Sequence, residues 1–439
     1  MNKKPKIMRF IKITVILVTS FLCFQCQREE RKLVAQSFID SLKTNYGVPK
    51  PITNNEDELQ FWKSRIKNDA SDLVNKAKYA STLVSRFHLS GNIKDLKASD
   101  SLLFDLEKQF NGTQAGTYLS LTHNSILQHR FNKAEDYLKK AIAIGISNKI
   151  RYPLTFDVNF ETGNIETAAL SLDKMKDEND YGYQFRKSKM AHYNGELDAS
   201  IVCMEKASAL ANGNSYLKSV ALSNAGDLYI HAGKFEKAQN SYLQSIKINN
   251  ADLHSIMGLG WIALVHDKND SLAETIFKFV ATKTKSPDPL YKLILVDQFR
   301  HDQASELKHA KQYEAIVTDS VYGTMYNKYI IPLYIGCLNN PKKAETLAKT
   351  ELKHRATPQT YSWYVYALLA NNKLDEANAI YKAHIAGKPL EALELYYMGK
   401  LMEANKKGYN AKEFYKAAEE NLYDLTPTIA RDLESKLHE

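Results

Sequence analysis

The sequence predicts an all-α solenoid built from nine or ten helix-turn-helix repeats, and three observations predict it. A small residue recurs at Ala98, Ala134, Ala168, Ser200, Ala238, Ala273, Ala344, Ala377 and Ala411, with Leu307 as a weaker copy, at intervals of 32 to 38 residues. A turn signal precedes several of these positions, at Gly91-Asn92, Gly163-Asn164, Gly195-Glu196, Gly233-Lys234 and Asn372-Lys373. Gly and Asn accept the left-handed backbone that ends a helix. Only 18 Gly and 11 Pro occur in 439 residues, too few for a loop-rich β-protein or a disordered chain. A period of roughly 20 to 50 residues marks units that bury a continuous core only by stacking on one another.

In chain order, the first element is an address. Lys3, Lys4, Lys6, Arg9 and Lys12 precede twelve uncharged residues, 13–24. At about 1.5 Å per residue that run cannot cross a hydrocarbon core of about 30 Å. A basic start with such a run reads as a secretory leader. It closes on Cys23-Phe24-Gln25-Cys26, and the segment resembles a bacterial lipoprotein signal. The resemblance implies a signal peptide over 1–25 and acylation of Cys26, preferred over Cys23 because polar residues follow it at once. It also implies a palmitate-bearing lipoprotein outside the cytoplasm, anchored to the outer membrane on its periplasmic side or at the cell surface. Gln27-Arg28-Glu29-Glu30 resembles the export tag of some surface lipoproteins.

Residues 26–55, with the linker-like stretch Gly47-Val-Pro-Lys-Pro-Ile-Thr-Asn-Asn55, read as a tether. Within 56–70, the run 56–68 reads as a docking helix with Phe61, Trp62 and Ile66 on one face. The array itself is placed at 71–422. Its fullest copy has Gly226, Tyr229, Gly233, Ala238 and Tyr242, and resembles the tetratricopeptide repeat. A large residue follows the small one by four at Leu102, Leu138, Leu172, Met204, Tyr242, Phe277, Tyr381 and Tyr415, with Lys311 and Ala348 as exceptions. Val365, Ala377 and Tyr381 match Gly399, Ala411 and Tyr415 at a constant interval of 34. Residues 285–325, with Pro287 and Pro289, fit poorly, which predicts one irregular repeat. Thr426-Pro427 opens a capping helix within 423–439, a Thr cap with Pro in the first turn. The resemblance to tetratricopeptide lipoproteins implies a right-handed superhelix and a location, and no reaction.

The net charge of +9 falls to +4 once the five basic residues of the leader are set aside, and no basic stripe remains. That argues against nucleic acid. Cys203 and Cys337 are 134 residues apart and read as isolated thiols. No zinc, phosphate-loop or nucleophile-elbow motif occurs, so no catalytic residue, cofactor or metal ligand is assigned. His301 and His309, eight residues apart, stand about 12 Å from each other along a helix, too far to share a metal.

In such an array the first helix of each pair lines the concave face. The resemblance thereby implies protein-binding positions at Arg186, Lys189, Asn224, Asp227, His231, Trp363, Tyr366, Tyr397 and Lys400. Aromatic residues among polar ones have the composition of contact hot spots. The expected function is a membrane-anchored, extracytoplasmic, non-catalytic scaffold or adaptor that binds a protein or peptide on this face. The alternative is a carbohydrate- or nutrient-binding surface lipoprotein with Trp363, Tyr366 and Tyr397 as stacking platforms.

Overall fold

The computed structural model describes residues 31–438 except 70 and 212. The leader 1–25, Cys26 and the residues 27–30 lie outside the described residues.

Helix α1 (Gln36–Asn45) and helix α2 (Lys50–Asn68) precede ten helix pairs. These are α3 (Leu73–Ser90) with α4 (Ile93–Gln109), α5 (Ala115–Leu127) with α6 (Phe131–Ile144), and α7 (Asn148–Thr162) with α8 (Ile165–Lys174). Then come α9 (Tyr181–Tyr193) with α10 (Leu197–Leu210), α11 (Ser215–His231) with α12 (Phe235–Ile248), and α13 (Leu253–Val265) with α14 (Asp270–Ala281). The array continues through α15 (Asp288–Arg300) with α16 (Gln303–Val317), α17 (Asn327–Ile335) with α18 (Pro341–Glu351), and α19 (Pro358–Ala370) with α20 (Leu374–Ile380), which runs on into a π-turn at Tyr381–Ile385. The last pair is α21 (Ala392–Ala404) with α22 (Gly408–Glu419), followed by a 3₁₀ turn (Leu422–Asp424) and α23 (Pro427–His438). No strand occurs among the described residues. Each helix packs on its partner, and second helices pack on the first helix of the next pair, so the architecture is an all-α solenoid.

All ten intra-pair turns contain a left-handed residue: Gly91, His129, Gly163, Gly195, Gly233, Lys268, His301, Asn339, Asn372 and Lys406. The turn geometry is thus uniform although the sequence signal is not. The small residues explain the close approach of paired helices: Ala134, Ala168, Ser200, Ala238, Ala273, Ala344 and Ala377 are each fully buried. Tyr242 fills the space between pairs, and a Cβ would lie 2.3 Å from its ring if added at Gly226 and 2.4 Å if added at Gly258. Phe277 is seated against Gly260, and Tyr415 against Gly399, in the same way.

Two anchors are corrected. Ala98 is exposed and its neighbour Ser99 is the buried small residue, with Leu103 rather than Leu102 buried four later. Leu307 is only half buried; in the longer α16 the buried small residue is Ala310, one turn on. The stretch 285–325 holds a regular pair, since Pro289 stands in the first turn of α15, where its missing N–H costs nothing. The irregularity is confined to the turn-rich connection 318–326.

The ends differ from the sequence reading as well. Within the expected tether, the chain is already docked: the Leu33 and Val34 N–H groups donate to the buried Asp267 carboxylate at 2.9 and 2.7 Å, and Tyr46 meets Phe279 edge-on. The docking helix starts at Lys50, and it buries Asn55 and Leu59 while Phe61 stays 53% exposed.

The array curls until distant pairs touch. Lys285 N–H and Thr284 Oγ1 donate to Ser90 O (2.7 and 2.9 Å), Thr324 Oγ1 to His129 O (3.3 Å) and Asn132 to Lys353 O (2.7 Å). Tyr322 packs with Ile93 and Leu96, and Arg355 reaches Glu161 at 3.5 Å. The first three pairs therefore face the sixth to ninth, and an interior space is left between them.

Candidate functional site: an interior channel

First-helix side chains and the closing contacts together line three adjoining, half-open cavities of about 1070, 370 and 360 Å³. Asp227 lines all three, Asn224 the first two, and His231, Lys328 and Glu391 the last two, so they form lobes of one channel.

At the junction Asp227 accepts from Tyr242 Oη (2.7 Å) and pairs with His254 Nε2 (2.8 Å). The Asp227 carboxylate pushes the His254 pKa up to about 9, and the imidazole stays charged although protein walls surround it. Burial alone raises the Asp227 carboxyl, but His254 and the Tyr242 hydroxyl outweigh it and hold the group below its usual value. His231 Nδ1 meets Asp424 at 2.5 Å and lies edge-on to His192, ring centres 5.0 Å apart. Burial disfavours the His231 cation, yet Asp424, Glu391 and Asp227 together leave its pKa raised.

In the second lobe Lys189 and Arg355 share Glu161, and Lys328 stands 3.8 Å from Glu391. In the largest lobe Glu58, Asp252 and Asp288 join Asp227, and no Lys or Arg lines it among the described residues. There His88 and His123 present imidazoles without hydrogen-bond partners among the described residues, both with pKa values lowered by burial. In the third lobe the Lys292 ammonium has no carboxylate within ion-pairing distance among the described residues and lies over the Trp261 ring, 4.3 Å from its centre.

Of the nine side chains expected on the concave face, Lys189, Asn224, Asp227, His231 and Trp363 line the channel. Arg186 is bound to Asp157 at 2.5 Å on the neighbouring first helix and ties two pairs together. Trp363 contributes only an edge: it is 3% exposed and donates to Glu394 at 2.8 Å. Tyr397 is fully buried and stacked on half-buried Tyr366, ring centres 4.0 Å apart, and Lys400 pairs with Glu403 and Asp432. Tyr366, Tyr397 and Lys400 therefore belong to packing beneath α23, not to an open face. The three aromatics do not form a stacking platform. His254, Lys292, Lys328, Arg355, Glu391 and Asp424 were not singled out in the sequence. Asp424 lies beyond the array, and only the return of the chain across the concave face brings it to His231.

No family model matches the chain, and no curated protein matches it. Among solved structures it is similar to a tetratricopeptide repeat protein from Parabacteroides merdae, at 14% identity over 74% of this chain and 99% of that one, with a TM-score of 0.30. It is similar to a human IFIT1 dimer with PPP-AAAA at 10% identity, over 74% of this chain and 76% of that one, with a TM-score of 0.45. It is also similar to the P58(IPK) TPR domain at 15% identity, over 88% and 97%, with a TM-score of 0.23. The all-α array of helix pairs is read from the order and packing of the chain's own helices.

Proposed function

We propose that this chain is a non-catalytic interaction module, held outside the cytoplasm by a lipid on Cys26, that takes a protein or peptide segment into the interior of its superhelix. The outer membrane, on its periplasmic side or at the cell surface, is the expected location. The observation that carries the reading is the channel itself. Its largest lobe, at about 1070 Å³, is at the upper end of small-molecule pockets and is lined from many repeats by both apolar and hydrogen-bonding side chains. An extended peptide offers both kinds of group along its length.

Two features support the rest. The Asp227–His254 pair activates no nucleophile, because the hydroxyl beside it, that of Tyr242, donates to the carboxylate rather than to the imidazole. Phosphate backbones need several unneutralised cations; of the four Lys and Arg side chains described on the channel wall, Lys189, Lys328 and Arg355 each face a carboxylate and Lys292 does not, so nucleic acid is not the expected ligand.

The test is selection of a displayed peptide library on the purified lipidated chain. Selected peptides should bind Asn224→Trp, which fills the channel junction, at least about tenfold more weakly, while Phe61→Ala outside the channel leaves binding unchanged. Glycan binding that is sensitive to Asn224→Trp, with no peptide selected, overturns the reading in favour of the carbohydrate-binding alternative. Cys26→Ser should move the chain from the membrane to the soluble fraction; retention in the membrane refutes the lipid anchor.

A further inference from the structure

After α22 the chain crosses the concave face instead of simply capping the last pair. Helix α23 is anchored by apolar contacts: Leu433 is fully buried and Ile429 is 8% exposed, both within the core of the last three pairs. The 3₁₀ turn ahead of it is different. None of Leu422, Tyr423 and Asp424 is buried, yet the turn reaches α11 and its surroundings, five pairs away in the array. It is held there by four directed contacts. Trp261 Nε1 donates to Tyr423 O (3.2 Å), and the Tyr423 ring meets Phe235 edge-on with centres 4.6 Å apart. The same ring lies against Gly233, where an added Cβ would come within 3.5 Å of it. Asp424 pairs with His231 at 2.5 Å. Tyr423, Asp424 and Leu425 also form one wall of the third lobe.

A partly exposed segment held by an aromatic contact, a backbone hydrogen bond and a charge pair is held as a bound peptide would be, not as a core element. We propose that the turn Leu422–Asp424 is a resident ligand, and that its seat on His231, Phe235 and Trp261 is a docking site for partner segments of the same chemistry. Such a segment carries an aromatic residue followed by an acidic one, as Tyr423-Asp424 do, whereas Leu425 is buried in the core of the last pairs and stays outside the seat. The aromatic ring fills the shelf between Phe235 and Gly233, the carboxylate meets His231, and the backbone carbonyl of the aromatic residue takes the Trp261 N–H. A partner must displace the turn, so affinity in the intact chain is reduced by the fraction of molecules in which the seat is already filled. The inference rests on the reading of the interior as a peptide site and names the chemistry it selects.

The probe is a fluorescein-labelled peptide spanning residues 418–428 of this chain, titrated into the full chain and followed by anisotropy. The double variant Tyr423→Ser/Asp424→Ser, which empties the seat while leaving α23 in place, should bind it at least about tenfold more tightly than the native chain. Adding His231→Ala to that variant should return binding to the native level, and a scrambled peptide should not bind. Far-UV circular dichroism establishes that each variant is folded, and amide exchange gives a second readout: residues 422–425 should exchange faster than α13 in the native chain. Equal affinity for native and double variants, no effect of His231→Ala, or exchange at 422–425 as slow as in α13 each refutes the proposal. If library peptides still bind in an Asn224-dependent way while the 418–428 peptide does not, the channel reading stands and this one falls.

Discussion

The Asp227–His254 contact gives the channel wall a pH signature that a single substitution can read. The imidazole titrates near 6.5 when free and near 9 here, so its stabilising contribution is complete below about pH 6.5 and is lost as the pH rises through about 9. Melting temperatures of the native chain and of His254→Asn should therefore differ at about pH 6 and converge by about pH 10. The side chain is 56% exposed to the channel, which keeps the effect small. Unequal shifts that persist at the higher pH would show that the variant acts through packing. The two thiols behave oppositely to reactive cysteines. Burial, followed by the neighbouring Glu306, pushes Cys337 up to about 12, and burial raises Cys203. Iodoacetamide at about pH 8 should label both only after denaturation, read by mass spectrometry.

At the scale of helices, the seats of the large side chains decide which glycines can be replaced. Gly226→Ala or Gly258→Ala forces a Cβ into the Tyr242 ring and should cost about 1–3 kcal/mol in urea unfolding. Gly116→Ala, in α5 with nothing near its would-be Cβ, should instead gain about 0.5 kcal/mol. Ser99→Leu should destabilise by about 1–3 kcal/mol and Ala98→Leu should be nearly silent, which separates the observed register of α4 from the one its sequence suggests. Much of this level is legible in the sequence, because a helix pair needs a small residue at closest approach and supplies it locally. Where two small residues stand side by side, as Ala98 and Ser99 do, periodicity alone does not choose between them. The left-handed turns at His129, Lys268 and His301 were invisible for a related reason. Their conformation is imposed by packing of the flanking helices rather than offered by Gly or Asn. A ladder of ion pairs repeats from pair to pair, with Arg130 to Asp100, Lys234 to Asp198, Arg300 to Asp270, Lys343 to Glu314 and Lys373 to Glu345. Each reaches the second helix of the pair before, from the start of a second helix, from the turn ahead of it or, for Arg300, from the last residue of the first helix.

Over the whole molecule, what escapes the sequence is closure. Five of the nine expected contact residues do line the interior, because first-helix periodicity assigns a face to each side chain. Tyr366, Tyr397 and Lys400 do not, because α23 folds back over them, and no local pattern reports where a terminal helix goes. The seam between the first pairs and the sixth to ninth is mostly polar, with one apolar patch around Tyr322, Ile93 and Leu96. Tyr322→Ser should weaken it, and small-angle scattering should show a larger radius of gyration with unchanged helix content. An unchanged radius would mean that the polar contacts of Thr284, Lys285, Thr324, Asn132 and Arg355 suffice to hold the seam. The clamp of Asp267 on the Leu33 and Val34 amides has a mechanical side. A pull on the start of the chain does not peel away the first helix pair; it is delivered through Asp267 into α13 and α14, halfway along the array. Under load from that end the middle of the solenoid is strained first, and the first pair feels force only after the two hydrogen bonds to Asp267 and the contacts of Ile39 and Tyr46 with the mid-array core have given way.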